Sequence, residues 1–268
     1  MCVKRDRRDN ILNALTFVVR FTTAQFKDHM HKLVRRTYLL PPPSAVAGFI
    51  GAILGLSREE LYKISNRLFA GSMLRSLEGI IVSLARIYKL GEDIYRILKM
   101  YYSDDPSERK EGYKNIQSVM PIEESEELYR PEYKYAIASA DEKLIETLLE
   151  KLKNFDFEYD VFGGNDYHFV EYIGEVKPAV IEKSKEGYGY CPREYFEKVD
   201  AETYKIMYNT GSLEKTEIPV VIPVKFLARV NTEFIQVFKA KIYVKKDLYV
   251  VNDGYDKVFV YNVERFMI

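Results

Sequence analysis

The chain has 268 residues, 47% hydrophobic and 30% charged, with 40 Lys and Arg balancing 40 Asp and Glu. That length supports one large domain or two small ones, and zero formal charge leaves no global field drawing the chain to nucleic acid or to a membrane. Its two cysteines, Cys2 and Cys191, exclude a disulfide framework and point to a reducing, cytoplasmic setting.

Charge is nevertheless uneven. Residues 1–40 carry nine Lys and Arg against three acids, and residues 121–160 carry five against twelve. A basic beginning and an acidic middle fit separate surfaces for separate partners, although plain solvated faces explain the same runs. The opening "KRDRRDNILNALTFVVRF" has the basic start and apolar stretch of a secretory signal, but Arg20 interrupts it and no small-residue cleavage site follows. Neither "SAVAGFIGAILGL" nor "GIIVSLARIYKL" reaches the roughly eighteen apolar residues that span a bilayer. A soluble protein is expected.

"LTFVVRF" alternates, with Phe17, Val19 and Phe21 on one side and Thr16, Val18, Arg20 and Thr22 on the other. This predicts a strand whose polar side meets water or a ligand. "QFKDHMHKLVRR" reads as a basic, irregular connection. Pro41, Pro42 and Pro43 then form a rigid elbow, since each fixes φ and lacks an N–H. Ser44 is the expected cap of the helix that follows. Glycine inside a helix costs about 1 kcal/mol relative to alanine, so Gly48, Gly51 and Gly55 predict a close approach by another backbone or a ligand. Ser57 with Glu60 makes a capping box for the next helix.

Residues 88–131 are polar and acidic, and predict an inserted hairpin or mobile loop. A second unit repeats the first. "YKYAIAS" alternates as a strand, Ser139 with Glu142 suggests another capping box, and Leu144, Ile145, Leu148, Leu149 and Leu152 recur at helical spacing. "EYDVFGG" reads as a strand ending in paired glycines. Two strand–helix–strand units predict an α+β fold: a ferredoxin-like, RRM-type sheet over residues 1–180, interrupted by the insert. From Val220 onward only strands are expected, which makes 181–268 a β-rich C-terminal part with "NDG" as a tight turn.

Several chemistries are missing. There is no phosphate-binding nucleotide loop, dinucleotide fingerprint, zinc spacing or nucleophile elbow, so no metal and no cofactor are expected. Metal-free RNA cleavage needs an acid and a base, which His29 and His31 with Tyr38 can in principle supply; surface histidines in a polar loop are the plainer reading. In "DVFGGNDYHF", Gly163 and Gly164 leave the backbone able to turn N–H groups toward an anion, and Tyr167 offers a face to a base. A simple turn between strands accounts for the same residues.

A first strand running to "AQFK", followed by "TYLLPPPSAVAGFIGAILGL", resembles the N-terminal signature of the CRISPR-associated Cas-five family of the RAMP superfamily. The match is close over Phe17 to Leu56. The family's late Leu-Gly loop corresponds to Phe162-Gly163-Gly164 here. The resemblance implies a noncatalytic subunit of a type I interference complex, Cascade. Such subunits hold the 5′ handle of crRNA, cap a filament of Cas-seven backbone subunits, contact the large subunit, and meet target DNA through the assembled complex. It implies phosphate contacts from Arg20, Lys27, Lys32, Arg35 and Arg36 and base stacking by Tyr38. The loop of Gly163, Gly164, Asn165, Tyr167 and His168 would close over the same RNA. One branch of the family cleaves repeat RNA instead, and a protein-only scaffold is a third possibility.

Overall fold

The computed structural model describes residues 13–28, 35–83, 96, 99–100, 102–119, 125–165, 167–208, 218–226 and 233–267. The fold is mixed α and β, and strands dominate it. In chain order come β1 (Asn13–Phe21), β2 (Thr23–Ala24), β3 (Phe26–Lys27), β4 (Thr37–Tyr38), α1 (Pro43–Leu54) and α2 (Arg58–Ile64). They are followed by β5 (Leu68–Ser76), β6 (Gly79–Ser83), α3 (Pro106–Val119), β7 (Ser125–Tyr129), β8 (Glu132–Ser139) and α4 (Glu142–Asn154). The remainder is β9 (Val170–Gly187), β10 (Tyr190–Pro192), β11 (Phe196–Val199), β12 (Lys205–Ile206), β13 (Val220–Lys225) and β14 (Glu233–Phe238). Last come β15 (Ile242–Asn252), β16 (Lys257–Phe259), β17 (Tyr261–Asn262) and a 3-10 turn at Val263–Phe266.

The main sheet runs β11–β15–β9–β1–β8–β5–β17 and is antiparallel throughout. β16 pairs with β15, and β17, one residue further on, pairs with β5. Residues 257–262 therefore join the two ends, and the sheet curls back on itself. Small side chains fill the space inside: Ala14, Ala136, Ala138, Val251, Val258 and Val260. Gly71 belongs to the same economy of volume, because a Cβ there would collide with the carbonyl oxygen of Phe259. This corrects the expectation of an open polar face on β1. Thr16 and Val18 are fully buried, since curling encloses the face that alternation alone leaves to water.

One end of this enclosed space holds a buried ionic group. Lys134 donates to Asp253 Oδ2 at 2.8 Å and also to Asp256, and Thr16 Oγ1 donates to the same Asp253 oxygen at 3.1 Å. Burial pushes the Asp253 carboxyl upward, but the Lys134 ammonium and the backbone N–H groups of Asp256 and Tyr255 outweigh it and hold the pKa at about 2, below the ordinary 3.8. A depressed folded-state value contributes stability that is full above the ordinary value and lost as pH falls toward the depressed one. Urea unfolding from pH 6 down to pH 2 should show the wild type losing stability most steeply below about pH 4. Asp253→Asn should be less stable at pH 6 and flatter through that window; an unchanged slope would discount the ion group.

The opposite face of the sheet carries the larger core, where α1 and α4 pack on β1, β8 and β5. Phe17 sits edge-on to Tyr135 and Phe21 edge-on to Phe49, with centroids 5.5 and 6.0 Å apart. A second sheet, β10–β14–β13–β12, adds Tyr190, Phe226, Phe234 and, from the curled sheet's end, Tyr261. Cys191 lies buried here, and burial pushes its thiol up to about 12.

The proline elbow passes through this core, so its backbone groups need partners. Gln236, wholly buried on β14, supplies most of them. Its Oε1 accepts from Leu39 N at 3.1 Å and Leu40 N at 3.4 Å, and its Nε2 donates to Leu40 O at 3.0 Å. Tyr133 Oη donates to Leu39 O at 3.0 Å and Ser72 Oγ to Pro41 O at 3.1 Å. The prolines themselves bring no N–H to satisfy.

Other expectations need correction. α1 is capped at Pro42 with no side-chain bond, so Ser44 lies inside the helix. Of its glycines, Gly48 has nothing near a would-be Cβ, while Gly55 serves as a left-handed C-cap at φ +71°. The Ser57–Glu60 capping box forms. α4 is capped by Asp141, which accepts from Leu144 N at 3.2 Å, and Ser139 Oγ accepts from Asp141 N instead of capping. "EYDVFGG" is not a strand: Glu158 N and Tyr159 N donate to Ile53 O and Ala52 O at the end of α1, which pins the segment as a loop. The insert contains α3 and β7, and β7 pairs with β2 and β6. A helical turn, 3-10 in type, does occur beyond Val220. Residue 180 lies inside β9, and the β-rich C-terminal part does both things open to it: β11, β15, β16 and β17 extend the main sheet, while β10, β12, β13 and β14 form a second one. Among the described residues, no helix is long and apolar enough to cross a membrane.

Candidate nucleic-acid interface

Beyond β1 the chain bends away from the main sheet. Thr22 N donates to Phe169 O at 2.9 Å, and β2 then pairs with β7. Gln25 follows, nearly inaccessible, as a polar residue between buried Ala24 and Phe26. Its backbone N donates to Gly163 O at 2.8 Å. Its side-chain Nε2 donates to Ser125 Oγ at 2.9 Å and to Glu126 O at 2.8 Å, while Oε1 accepts from Asn165 Nδ2 at 3.2 Å. One amide thus ties together the strand after β1, the glycine loop and the start of β7.

The basic residues hang on this frame. β3 pairs with β4, Asp28 N donates to Arg36 O at 2.8 Å, and Arg35 bridges to Ser125, with Glu126 N donating to Arg35 O at 2.9 Å. Lys27 and Arg35 are exposed. Arg36 is half-buried, with its Nε 3.9 Å from Glu126 Oε1. Tyr167 remains exposed while its ring lies against His168, centroids 4.2 Å apart at 46°. The structure therefore ties Asn165 to Gln25 directly and Arg35 and Arg36 to it through Ser125 and Glu126, while exposed Lys27 and Tyr167 lie two residues along the chain from Gln25 and Asn165. Lys32, His29 and His31 lie outside the described residues.

The structure gives the other expected contact residues roles within the fold. Tyr38 is a core residue: its ring packs edge-on to Phe226 at 5.0 Å and its hydroxyl donates to Lys225 O at 2.6 Å, so no face is left for a base. Arg20 is drawn into an ion ladder with Glu132, which also lies 3.5 Å from Arg75 Nε, and Arg75 in turn pairs with Glu175 at 2.7 Å. The glycines serve the chain's own backbone. Gly163 N donates to His168 O at 2.8 Å, and a Cβ there would sit 3.0 Å from Ala24 and Phe21. Gly164 adopts φ +112°, and a Cβ would strike the carbonyl oxygen of Gln25. His168 is fully buried, with Nδ1 2.6 Å from Thr23 Oγ1. The loop is shaped by close approach to the strand after β1, which explains two successive glycines without an anion.

Gln25 is what sequence reasoning missed. An amide between apolar neighbours is the one available signal, and its three partners lie 100 or more residues away, where spacing says nothing. Among the described residues, no group of three or more His, Cys, Asp or Glu is arranged to hold a metal ion.

No curated protein matches the sequence. A crystal structure of a CRISPR protein from Archaeoglobus fulgidus is similar at TM-score 0.43 and 11% identity, over 94% of this chain and 100% of that one. A chain of a CRISPR RNA-guided surveillance complex is similar at TM-score 0.40 and 11% identity, over 86% and 91%. A functionally uncharacterized protein, SMU1763c from Streptococcus mutans, is similar at 0.32 and 13%, over 69% and 87%. The model of the family "CRISPR-associated protein (Cas_Cas5)" matches residues 14–237, which includes the elbow, the glycine loop and every described residue around Gln25. This chain belongs to that family.

Proposed function

We propose that the protein is a noncatalytic RNA-binding subunit of a type I CRISPR interference complex, holding the 5′ handle of crRNA beside a Cas-seven backbone subunit and the large subunit. The observation that carries the reading is the exposed pair Lys27 and Arg35 on a frame that Gln25 ties, through Ser125 and Asn165, to the loop of exposed Tyr167. Cations for phosphates next to an aromatic face for a base is the pairing that single-stranded RNA recognition uses. The strand order β9–β1–β8–β5, with a helix after β1 and another after β8, supports a ferredoxin-like, RRM-type core. Because curling encloses the sheet's inner face, RNA contact is assigned to these edge segments. His168, sealed against Thr23, is poorly disposed to serve as an acid or base on a bound RNA.

End-labelled repeat RNA incubated with the protein in EDTA should be retarded on a gel and stay intact. Discrete products would replace this reading with the endoribonuclease one. Lys27→Ala combined with Arg35→Ala should lower the slope of log affinity against log salt by about 1.4, since each phosphate contact contributes about 0.7 on single strands. An unchanged slope would remove these two residues from the interface.

A further inference from the structure

Apart from Tyr167 at the RNA edge, four aromatic side chains stand exposed between residues 155 and 172: Phe155, Tyr159, Phe169 and Tyr172. Exposed apolar surface of that density marks a place of contact. Two of these side chains, Tyr159 and Phe169, line a cleft of about 510 Å³ together with Phe157, Phe162, Glu158 and Asp160. The cleft is preformed. One wall is held to the end of α1 by the bonds from Glu158 N to Ile53 O at 3.3 Å and Tyr159 N to Ala52 O at 3.1 Å. The other is closed by a bridge between Phe162 and Phe169, whose rings lie 5.9 Å apart at 62°. A ligand entering such a site orders little that is not already ordered.

Charge selects the ligand. Glu158 is committed to Lys151 at 2.7 Å, whereas exposed Asp160 has no hydrogen bond or ion pair among the described residues. Asp156 also pairs with Lys151, at 3.2 Å, so Asp156, Glu158 and Asp160 outnumber that one lysine at the cleft, while α4 itself is neutral. A phosphate backbone is repelled by this setting. A flat cation is not: a guanidinium stacks on aromatic faces and accepts a carboxylate partner along its edge. We infer that the cleft seats an arginine side chain of a protein partner, making this face a protein–protein contact separate from the RNA edge. The inference deepens the subunit reading and rests on it for the existence of a partner.

The test uses the full chain and two fluorescein-labelled peptides, acetyl-Gly-Leu-Arg-Leu-Gly and its twin with citrulline, which keeps the shape and removes the charge. By anisotropy at low salt, the arginine peptide should bind at least about tenfold more tightly than the citrulline one. Asp160→Asn should erase that difference, and Phe169→Ala should weaken both; both residues are exposed, so neither change threatens the fold. A short single-stranded RNA should not displace the peptide. Equal binding of the two peptides, indifference to Asp160→Asn, or displacement by RNA would each overturn the inference, the last by making the cleft part of the nucleic-acid surface. Loss of RNA binding in the Lys27→Ala, Arg35→Ala protein would bear only on the RNA reading and leave this result standing.

Discussion

Gln236→Leu should destabilise the protein by about 3–5 kcal/mol, because it strands three buried backbone groups at once and each costs about 1–3 kcal/mol unpaired. Leu39 N, Leu40 N and Leu40 O all depend on this one amide. No water reaches the side chain to substitute for it, since Gln236 is fully inaccessible. Domains of this kind hold only about 5–15 kcal/mol in reserve, so the variant should sit near the edge of folding at ordinary temperature. Urea unfolding measures the loss directly. A change below about 1 kcal/mol would mean that the elbow finds other partners or is not held as described.

Gly71→Val should be comparably damaging, by about 3 kcal/mol or more, and for a different reason. The obstacle is the backbone carbonyl of Phe259, with Val260 Cα also 3.2 Å from the new atom. A flexible side chain would swing aside, but residues 257–262 are bonded to β15 on one side and β5 on the other. The main expected signature is a large fall in melting temperature together with lost exchange protection at β17. Gly48→Ala is the matched control. Nothing lies within 4 Å of its would-be Cβ, so alanine should stabilise α1 by about 0.5–1 kcal/mol. If both substitutions behave alike, the closure of the sheet is not tight.

Local chemistry made part of this readable in advance. Alternation in "LTFVVRF" and "YKYAIAS", the capping box at Ser57, and helical spacing from Leu144 to Leu152 depend on neighbours a few residues away, and those strands and helices are where they were expected. What alternation omits is the far side of a sheet. Thr16 looks outward until Asp253, 237 residues later, accepts from its hydroxyl in the enclosed space. The elbow was legible as rigid, yet not as buried, because Gln236 and Tyr133 supply its bonds from distant strands. Tyr38 illustrates the same limit: beside two arginines it reads as a stacking residue, and Phe226 turns it into core. The glycine pair was legible as backbone freedom. Whether that freedom serves a phosphate or the chain's own Gln25 is a question of three dimensions, answered by φ at Gly164 and the carbonyl beside it.

The ring closed by residues 257–262 also sets an order of events during folding. β5 can pair with β8 early, but among the described residues its other edge pairs with Tyr261 and Asn262. Until those residues have been synthesised and docked, β5 presents an unpaired strand edge and the small-residue lining of Ala14, Ala136 and Ala138 lies open. Bare edges with apolar faces are where nascent chains pair wrongly. Contacts of such long sequence separation form slowly. Interrupting translation before residue 257 should therefore yield aggregation-prone chains, and the interval before that segment arrives is when this protein has most need of a chaperone.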